Sequence, residues 1–351
     1  MTIDVLQAIA GLALLYFGAE WLVNGSSKLA LRLGIAPLII GLTVVAFGTS
    51  SPELFVCLGA NLTQANPTVG GGMVLGTIIG SNVFNLALIL AIGALIRPIP
   101  VSRQIVIREM PILLVATALL LWFLRDQQLS RVEGGILFAG LIGFLTLSGI
   151  TSVRQMRDKR GETPDILEDL DPEAAKEMPV WKAVGFILFG LVGLAYGSDL
   201  LVNSATSIAE ALNVSEAIIS FTVIAFGSSV PELATVVVAS IRKEGDIITG
   251  NVIGSNIFNT MAILGIVALV KPVVYNSAQL SVVEPYYMAG LTLILFPFLL
   301  TRRTIARWEG LVLLLACVGF AYILFQKVQT TRAAVPKAVP AAVLGGASSD
   351  L

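Results

Sequence analysis

Ten apolar segments, each near the length that carries a helix across a bilayer, punctuate this chain at about 5–23, 35–61, 69–96, 105–124, 131–151, 181–203, 214–241, 247–270, 285–300 and 308–326. A hydrocarbon core about 30 Å thick takes roughly 20 helical residues to cross. Inside it, every backbone polar group must find a partner without water, which helices achieve within themselves. The predicted fold is therefore an all-α polytopic membrane protein with ten transmembrane helices. Composition agrees: 13% of the 351 residues are charged and mean hydropathy is +0.88, whereas a soluble domain carries about 25% charge. Asp4 precedes the first segment and no small-residue cleavage signal follows it, so the segment reads as a retained helix.

Several chemistries are set aside by what the chain lacks. It has no histidine, which removes His-based zinc sites and His general-base catalysis. Cys57 and Cys317 lie alone in apolar segments, so neither a disulfide framework nor a thiolate metal site is indicated. Net charge is −1 with no basic tract, and nucleic acid is not an expected partner. No nucleophile–base pair accompanies the acidic residues discussed below, so an enzyme is not expected.

Basic residues set the predicted orientation. With the N-terminus outside, the inward connections hold Lys28, Arg32, Arg97, Arg103, Arg108, Arg154, Arg157, Lys159, Arg160, Lys176, Lys182, Arg242, Lys243, Arg302, Arg303 and Arg307, which is 16 of the 22 Lys and Arg. Such an excess marks the cytoplasmic side. Both termini are thus predicted outside a cell inner (plasma) membrane, with the hydrophilic connection 153–180 in the cytoplasm. Trp21, Trp122, Trp181 and Trp308 fall near predicted span ends, where an amphipathic ring prefers the headgroup level. The connection turns acidic from Glu162 to Glu177 and reads as a solvated hinge. The Ala-, Pro-, Gly- and Ser-rich tail 331–351 reads as disordered.

The chain is also an internal duplication. LTVVAFGTSSPE at 42–53 matches FTVIAFGSSVPE at 221–232 at 8 of 12 positions, and GSNVFN at 80–85 matches GSNIFN at 254–259 at 5 of 6. FGAEWLVN at 17–24 corresponds to YGSDLLVN at 196–203. The predicted domains are a first five-helix repeat, 1–152, and a second, 181–330. An odd number of spans per repeat makes the second copy enter the membrane from the opposite side, so the repeats are inverted and sites at their interface can face either side in turn.

Glu53 and Glu232 fall inside predicted spans, where an ionised acid costs on the order of 3 kcal/mol even on lenient scales. No Lys or Arg stands near either in its own segment, so the balancing charge comes from a bound cation or a proton. Pro52 cannot donate to the Gly48 carbonyl, nor Pro231 to that of Gly227, and helices 2 and 7 are accordingly predicted to be discontinuous. Thr49 and Ser50 share a face with Glu53, as Ser228 and Ser229 do with Glu232. Ser81 and Asn85 lie four apart, like Ser255 and Asn259. Asn82 and Asn256 read first as packing or orienting residues. A Pro-kinked helix with a protonated glutamate is the plain structural alternative for either copy. Together these residues form a set of hard oxygen donors of the kind calcium takes, six to eight at a time, with no soft ligand for copper or zinc.

At these motifs the chain resembles the calcium/cation antiporter superfamily, specifically its bacterial and archaeal sodium/calcium exchanger-like members, over residues 5–326. The resemblance implies ions bound centrally between spans 2, 3, 7 and 8. The ligands it implies are Thr49, Ser50, Glu53, Ser81 and Asn85 in the first half, and Ser228, Ser229, Glu232, Ser255 and Asn259 in the second, with the carbonyls of Ala46 and Ala225. It implies calcium exchanged for sodium by alternating access, spans 1 and 6 sliding over the bundle, inorganic cations and the lipid bilayer as partners, and no cofactor. Several members carry an aspartate where this chain has Asn259, so two sodium ions, protons or potassium assistance stay open as the coupling. A cation channel built from the same oxygens is the alternative from a different class. Glu20 and Asp199, equivalent in the duplication, are candidates to line the access passages.

Overall fold

A computed structural model describes residues 2–158, 178–212, 227–277 and 280–334. It is almost wholly helical: α1 (Thr2–Leu33), α2 (Pro37–Thr49), α3 (Ser51–Thr63), α4 (Pro67–Ile96), α5 (Ile105–Asp126), α6 (Arg131–Asp158), α7 (Val180–Ala211), α8 (Val230–Ile241), α9 (Gly245–Val270), α10 (Val283–Arg302) and α11 (Arg307–Ala334). Among the described residues eight helices are long and apolar enough to cross a membrane, or nine with α2 and α3, bent by 41°, counted as one span. The protein is a polytopic membrane protein. The expected seventh span, 214–241, is described only from Gly227 onward, and Ala225 lies outside the described residues. So do 159–177 of the connection and 335–351 of the tail. The flanks of both, to Asp158 and Ala334, continue α6 and α11 as helix.

Apolarity marks where a helix meets lipid rather than where it ends. α1 extends ten residues past its apolar run and stops at Gly34, whose φ of +68° suits a residue without a Cβ. The Ile35 and Gly34 amides turn back onto the carbonyls of Ala30 and Leu31, closing the last turn. α4 and α9 form the buried centre of the molecule, while α1, α6, α7 and α11 carry most of the exposed large apolar side chains.

α1 and its duplicate α7 pack antiparallel with their backbones nearly touching. A Cβ on Gly11 would lie 2.9 Å from the Gly197 carbonyl oxygen, one on Gly18 3.0 Å from that of Gly190, and one on Gly25 2.8 Å from that of Ala183. Small residues at seven-residue steps permit this approach, the way lipid-embedded helices gain van der Waals contact.

Other contacts come in matched pairs. Gly134 packs on Gly265 and Ala268 as Gly310 packs on Ala91 and Ala94. The Arg131 Nη2 donates to the Val270 carbonyl at 3.2 Å, and the Arg307 Nη2 to that of Ile96 at 3.3 Å. Glu133 accepts from the Ser130 amide, and Glu309 from the Ala306 amide, each at 2.7 Å, fixing the starts of α6 and α11. Four two-residue strands close the ends: β1 (Ile99–Pro100) pairs antiparallel with β4 (Thr304–Ile305), and β2 (Gln128–Leu129) with β3 (Val273–Val274).

Candidate ion-binding site

The site begins at two helix breaks. Ser50 (φ −87°, ψ 1°) and Ser229 (φ −92°, ψ 3°) leave helical geometry at matching places, two residues before Pro52 and Pro231. Each proline then sits in the first turn of α3 or α8, where its missing N–H costs nothing. The breaks drop Glu53 and Glu232 into the first turn of a helix, the end whose dipole favours an anion. The carbonyl that Pro231 leaves free, that of Gly227, accepts a 2.9 Å hydrogen bond from Ser198 Oγ on α7, so a side chain and not an ion meets it. The Ala46 carbonyl accepts the Ser50 amide at 3.1 Å and the Thr49 hydroxyl at 3.4 Å.

Glu53 and Glu232 are 0% and 1% exposed and their carboxyls interact electrostatically. The hydroxyls beside them are crossed: Ser228 lies against Glu53, while Thr49 and Ser50 lie against Glu232, with Ser50 Oγ 3.4 Å from Oε1. Each carboxyl therefore takes its neighbours from the other half. None of the ion pairs among the described residues involves either glutamate.

α4 and α9 supply the amides. A wider π-turn begins at Asn85 and runs to Ile89, and another spans Phe258–Ile263 around Asn259. Such bulges insert a residue and re-aim side chains, often at functional sites. Asn259 Nδ2 donates to Ser81 Oγ at 3.2 Å and to Asn82 Oδ1 at 3.0 Å, joining the two helices.

Buried polar atoms in folded proteins almost always have partners. Here, among the described residues, both oxygens of Glu53, Oε2 of Glu232, both amide atoms of Asn85, Oδ1 of Asn259 and the hydroxyls of Ser229 and Ser255 have none. Leaving a neutral polar group in that state costs about 1–3 kcal/mol, and a charged one more. Seven of these eight atoms are oxygens, which a cation could satisfy; the eighth, Asn85 Nδ2, is a donor. The structure brings Glu53, Glu232, Ser228, Thr49 and Ser50 together, and Ser81 with Asn259. Asn85 and Ser255 are buried with no hydrogen bond to another member of the set.

Asn251 was not singled out from the sequence. It is fully buried on α9, accepts the Thr49 hydroxyl at Oδ1 (3.3 Å), and its Nδ2 has no partner among the described residues. The available signal was a polar side chain four residues before Ser255 on one helical face. Its duplicate position is Thr77, so matching the halves by identity passed over it.

A helical membrane protein with a broken span and two buried acids, each met by hydroxyls from the other half of the sequence, has the makings of an ion carrier. The chain belongs to the sodium/calcium exchanger family, whose model matches residues 3–149 and 182–326. It is 30% identical over 353 residues to the sodium/calcium exchanger MaX1 of Methanosarcina acetivorans, covering 93% of this chain and 99% of that one. It is 35% identical over 311 residues to the inner membrane protein YrbG of Escherichia coli, covering 88% and 91%. The solved structure of a sodium/calcium exchanger from Methanococcus jannaschii superposes with a TM-score of 0.74 at 29% identity, over 91% of this chain and 98% of that one.

Proposed function

We propose that the chain is a secondary active antiporter that exchanges Ca2+ for Na+ across a cell inner membrane by alternating access, from ten spans arranged as two inverted five-span repeats. The observation that carries the reading is the buried pair Glu53 and Glu232, one from each half, with no ion pair to a cationic side chain among the described residues. Two carboxylates balance one divalent ion. Asn259, rather than a third acid, keeps the cage's charge at two, which favours two monovalent ions, sodium or protons, in return. Ligands in this reading are Thr49, Ser50, Glu53, Ser81, Asn85, Ser228, Ser229, Glu232, Ser255 and Asn259, with the Ala46 and Ala225 carbonyls. Family membership and the printed names of the relatives support cation exchange.

The antiparallel packing of α1 on α7 and the matched contacts support inversion. Orientation is supported by a cavity of about 730 Å³ that gathers Arg97, Arg103, Arg242 and Lys243 at the β1–β4 end, the end we assign to the cytoplasm. Coupling follows from the cost of closing the site while it is empty: two bare carboxylates in a dry cavity repel and lack solvent. The loaded site can cross; the unloaded one cannot.

The test is calcium flux in proteoliposomes loaded with Ca2+ and diluted into sodium, potassium or a pH gradient in turn. Sodium-driven release that saturates is expected, with Glu53→Gln or Glu232→Gln lowering it by at least two orders of magnitude while the purified protein stays monodisperse. Undiminished exchange in either variant rules that glutamate out as a ligand. Release driven by protons alone would replace sodium as the counter-ion, and large single-channel currents would replace the antiporter.

A further inference from the structure

Hydroxyls flanking the ion site hold their acceptors tightly, and those within it do not. Thr43 and Ser51, on either side along the chain, reach the Ile39 and Phe47 carbonyls at 2.7 Å, and Thr235 reaches that of Pro231 at 2.8 Å. Thr49 Oγ1 instead stands 3.4 Å from the Ala46 carbonyl and 3.3 Å from Asn251 Oδ1, and Ser50 Oγ stands 3.4 Å from Glu232 Oε1. An O–H···O bond normally measures about 2.5–3.0 Å. Oxygens held at about 2.3–2.6 Å around a cation stand roughly 3.3–3.7 Å apart when set at right angles. The spacing suits ligands that share an ion.

Asn251 is the member of this group outside the predicted ligand set. It is fully buried on the α9 face that carries Ser255 and Asn259 at steps of four, and among the described residues its amide bonds Thr49 alone, with Nδ2 unpartnered. Buried amides elsewhere are tied to backbone: Asn256 Nδ2 donates to the Val252 carbonyl and Asn61 Nδ2 to that of Lys271, each at 2.7 Å. Asn251 has no such tie, so its amide can turn. The Thr49 hydroxyl both donates and accepts, so either end of that amide can lie against it. A cation selects the oxygen.

The charge beside this spot is single. Thr49 and Ser50 lie against Glu232, whereas Ser228 lies against Glu53. An ion between Thr49 and Asn251 therefore has one carboxylate next to it, which one monovalent charge balances, while a divalent ion is balanced only between the two. We propose that Asn251 is a further ligand for the transported monovalent cation, its amide oxygen joining the Ala46 carbonyl, Thr49 and Glu232 on one side of the site. The duplicate position, Thr77, brings a hydroxyl in place of the amide. This rests on the antiporter reading above and adds to it a residue that sets affinity for the counter-ion.

Sodium-driven calcium release by the full chain in proteoliposomes tests it, with the half-saturating sodium concentration and the KM for Ca2+ measured separately. Asn251→Leu keeps the approximate volume and removes the oxygen. It is expected to raise the half-saturating sodium roughly tenfold, the weight of one contact to a charged group, with little change in the KM for Ca2+. Asn251→Asp, in alkaline buffer, is expected to bring the half-saturating sodium below the parent's, since a charge that meets the ion tightens it. A residue that only packs does not give opposite shifts from these two substitutions. Equal shifts for sodium and calcium in Asn251→Leu, or no tightening in Asn251→Asp, overturn the proposal. Should Asn251→Leu not stay monodisperse, Asn251→Thr, which copies the duplicate position, repeats the comparison with a smaller rise expected. A parent protein whose calcium release ignores sodium would instead overturn the sodium–calcium antiporter reading itself.

Discussion

α1 lies along α8, with Glu20 hydrogen-bonded through Oε2 to Arg242 Nε at 2.8 Å, whereas α7, the duplicate of α1, has no comparable packing on α3. Both Gly48 and Gly227 are covered by α7: a Cβ on the first would strike Leu191, and on the second Val202. One duplicated pair of helices thus meets its two duplicated partners differently. A perfectly symmetric arrangement would expose the centre equally to both sides. α8 is accordingly buried along most of its length, whereas α3 leaves Phe55, Val56 and Leu62 exposed. On the inverted-repeat reading proposed above, the mirror of this arrangement is a second structure of similar energy.

The sharpest local contrast between the halves lies in two buried acids outside the cage. Glu109 and Glu284 each stand at the head of the fourth span of their half, 0% and 3% exposed. Glu109 is met by its neighbour Arg108 and by Gln104 Nε2 at 2.9 Å, all from one stretch of chain. Glu284 is met by Lys327 Nζ at 2.6 Å, from α11, and by Ser281. Removing one partner of a buried pair leaves an uncompensated charge and costs on the order of 3 kcal/mol. Lys327→Met is therefore expected to lower the thermal unfolding temperature in detergent markedly and to loosen α11. Arg108→Met should do less, because its bond to Glu109 lies within one stretch of chain, whereas the Lys327 bond ties Glu284 to another helix. Equal losses would show that the two acids are held alike and erase this contrast.

A second, smaller difference is Ser198. It bonds the Gly227 carbonyl that Pro231 frees, while its duplicate, Ala19, brings no hydroxyl toward Gly48. Ser198→Ala should destabilise by about 1 kcal/mol, a typical net hydrogen bond, read as a lowered midpoint of thermal unfolding in detergent. If the variant matches the parent, the Gly227 carbonyl has another partner and the halves are equivalent at this point.

Much of this was legible in the chain because the bilayer forces a simple code. Long apolar runs mark spans, and a proline four residues after a glycine marks where a span breaks, as Ser50 and Ser229 show. An acid with no cation nearby marks a buried charge. Connections between distant side chains were not legible. Glu20 read as a residue lining a passage, but its partner Arg242 stands 222 positions away at the end of another helix. Ser198 was not singled out, and nothing in its neighbours announces a donor aimed at another helix. The π-turns at Asn85 and Asn259 have no composition signature, since they arise where packing favours one extra residue in a turn.

The ion pair of Glu20 and Arg242 gives the gentlest and most informative handle on the comparison. At the position duplicating Arg242 stands Thr63, so Asp199 has no cation to meet when the halves exchange roles. In the alternating-access reading proposed above, only one of the two packings has this bond, and its loss should shift their populations rather than the chemistry of the site. A partly exposed pair is worth about 0.2–1 kcal/mol, which is up to roughly a fivefold change in the ratio of the two states. Arg242→Gln in vesicles of known orientation is expected to move the ratio of calcium affinities measured from the two faces toward the α8 face by that factor, with the exchange stoichiometry unchanged. Glu20→Gln should do the same, the two together no more than either, and the exchanged pair Glu20→Arg with Arg242→Glu should recover the parent ratio. Affinities that fall equally on both faces would mean that the bond supports the fold in general and not one packing over the other.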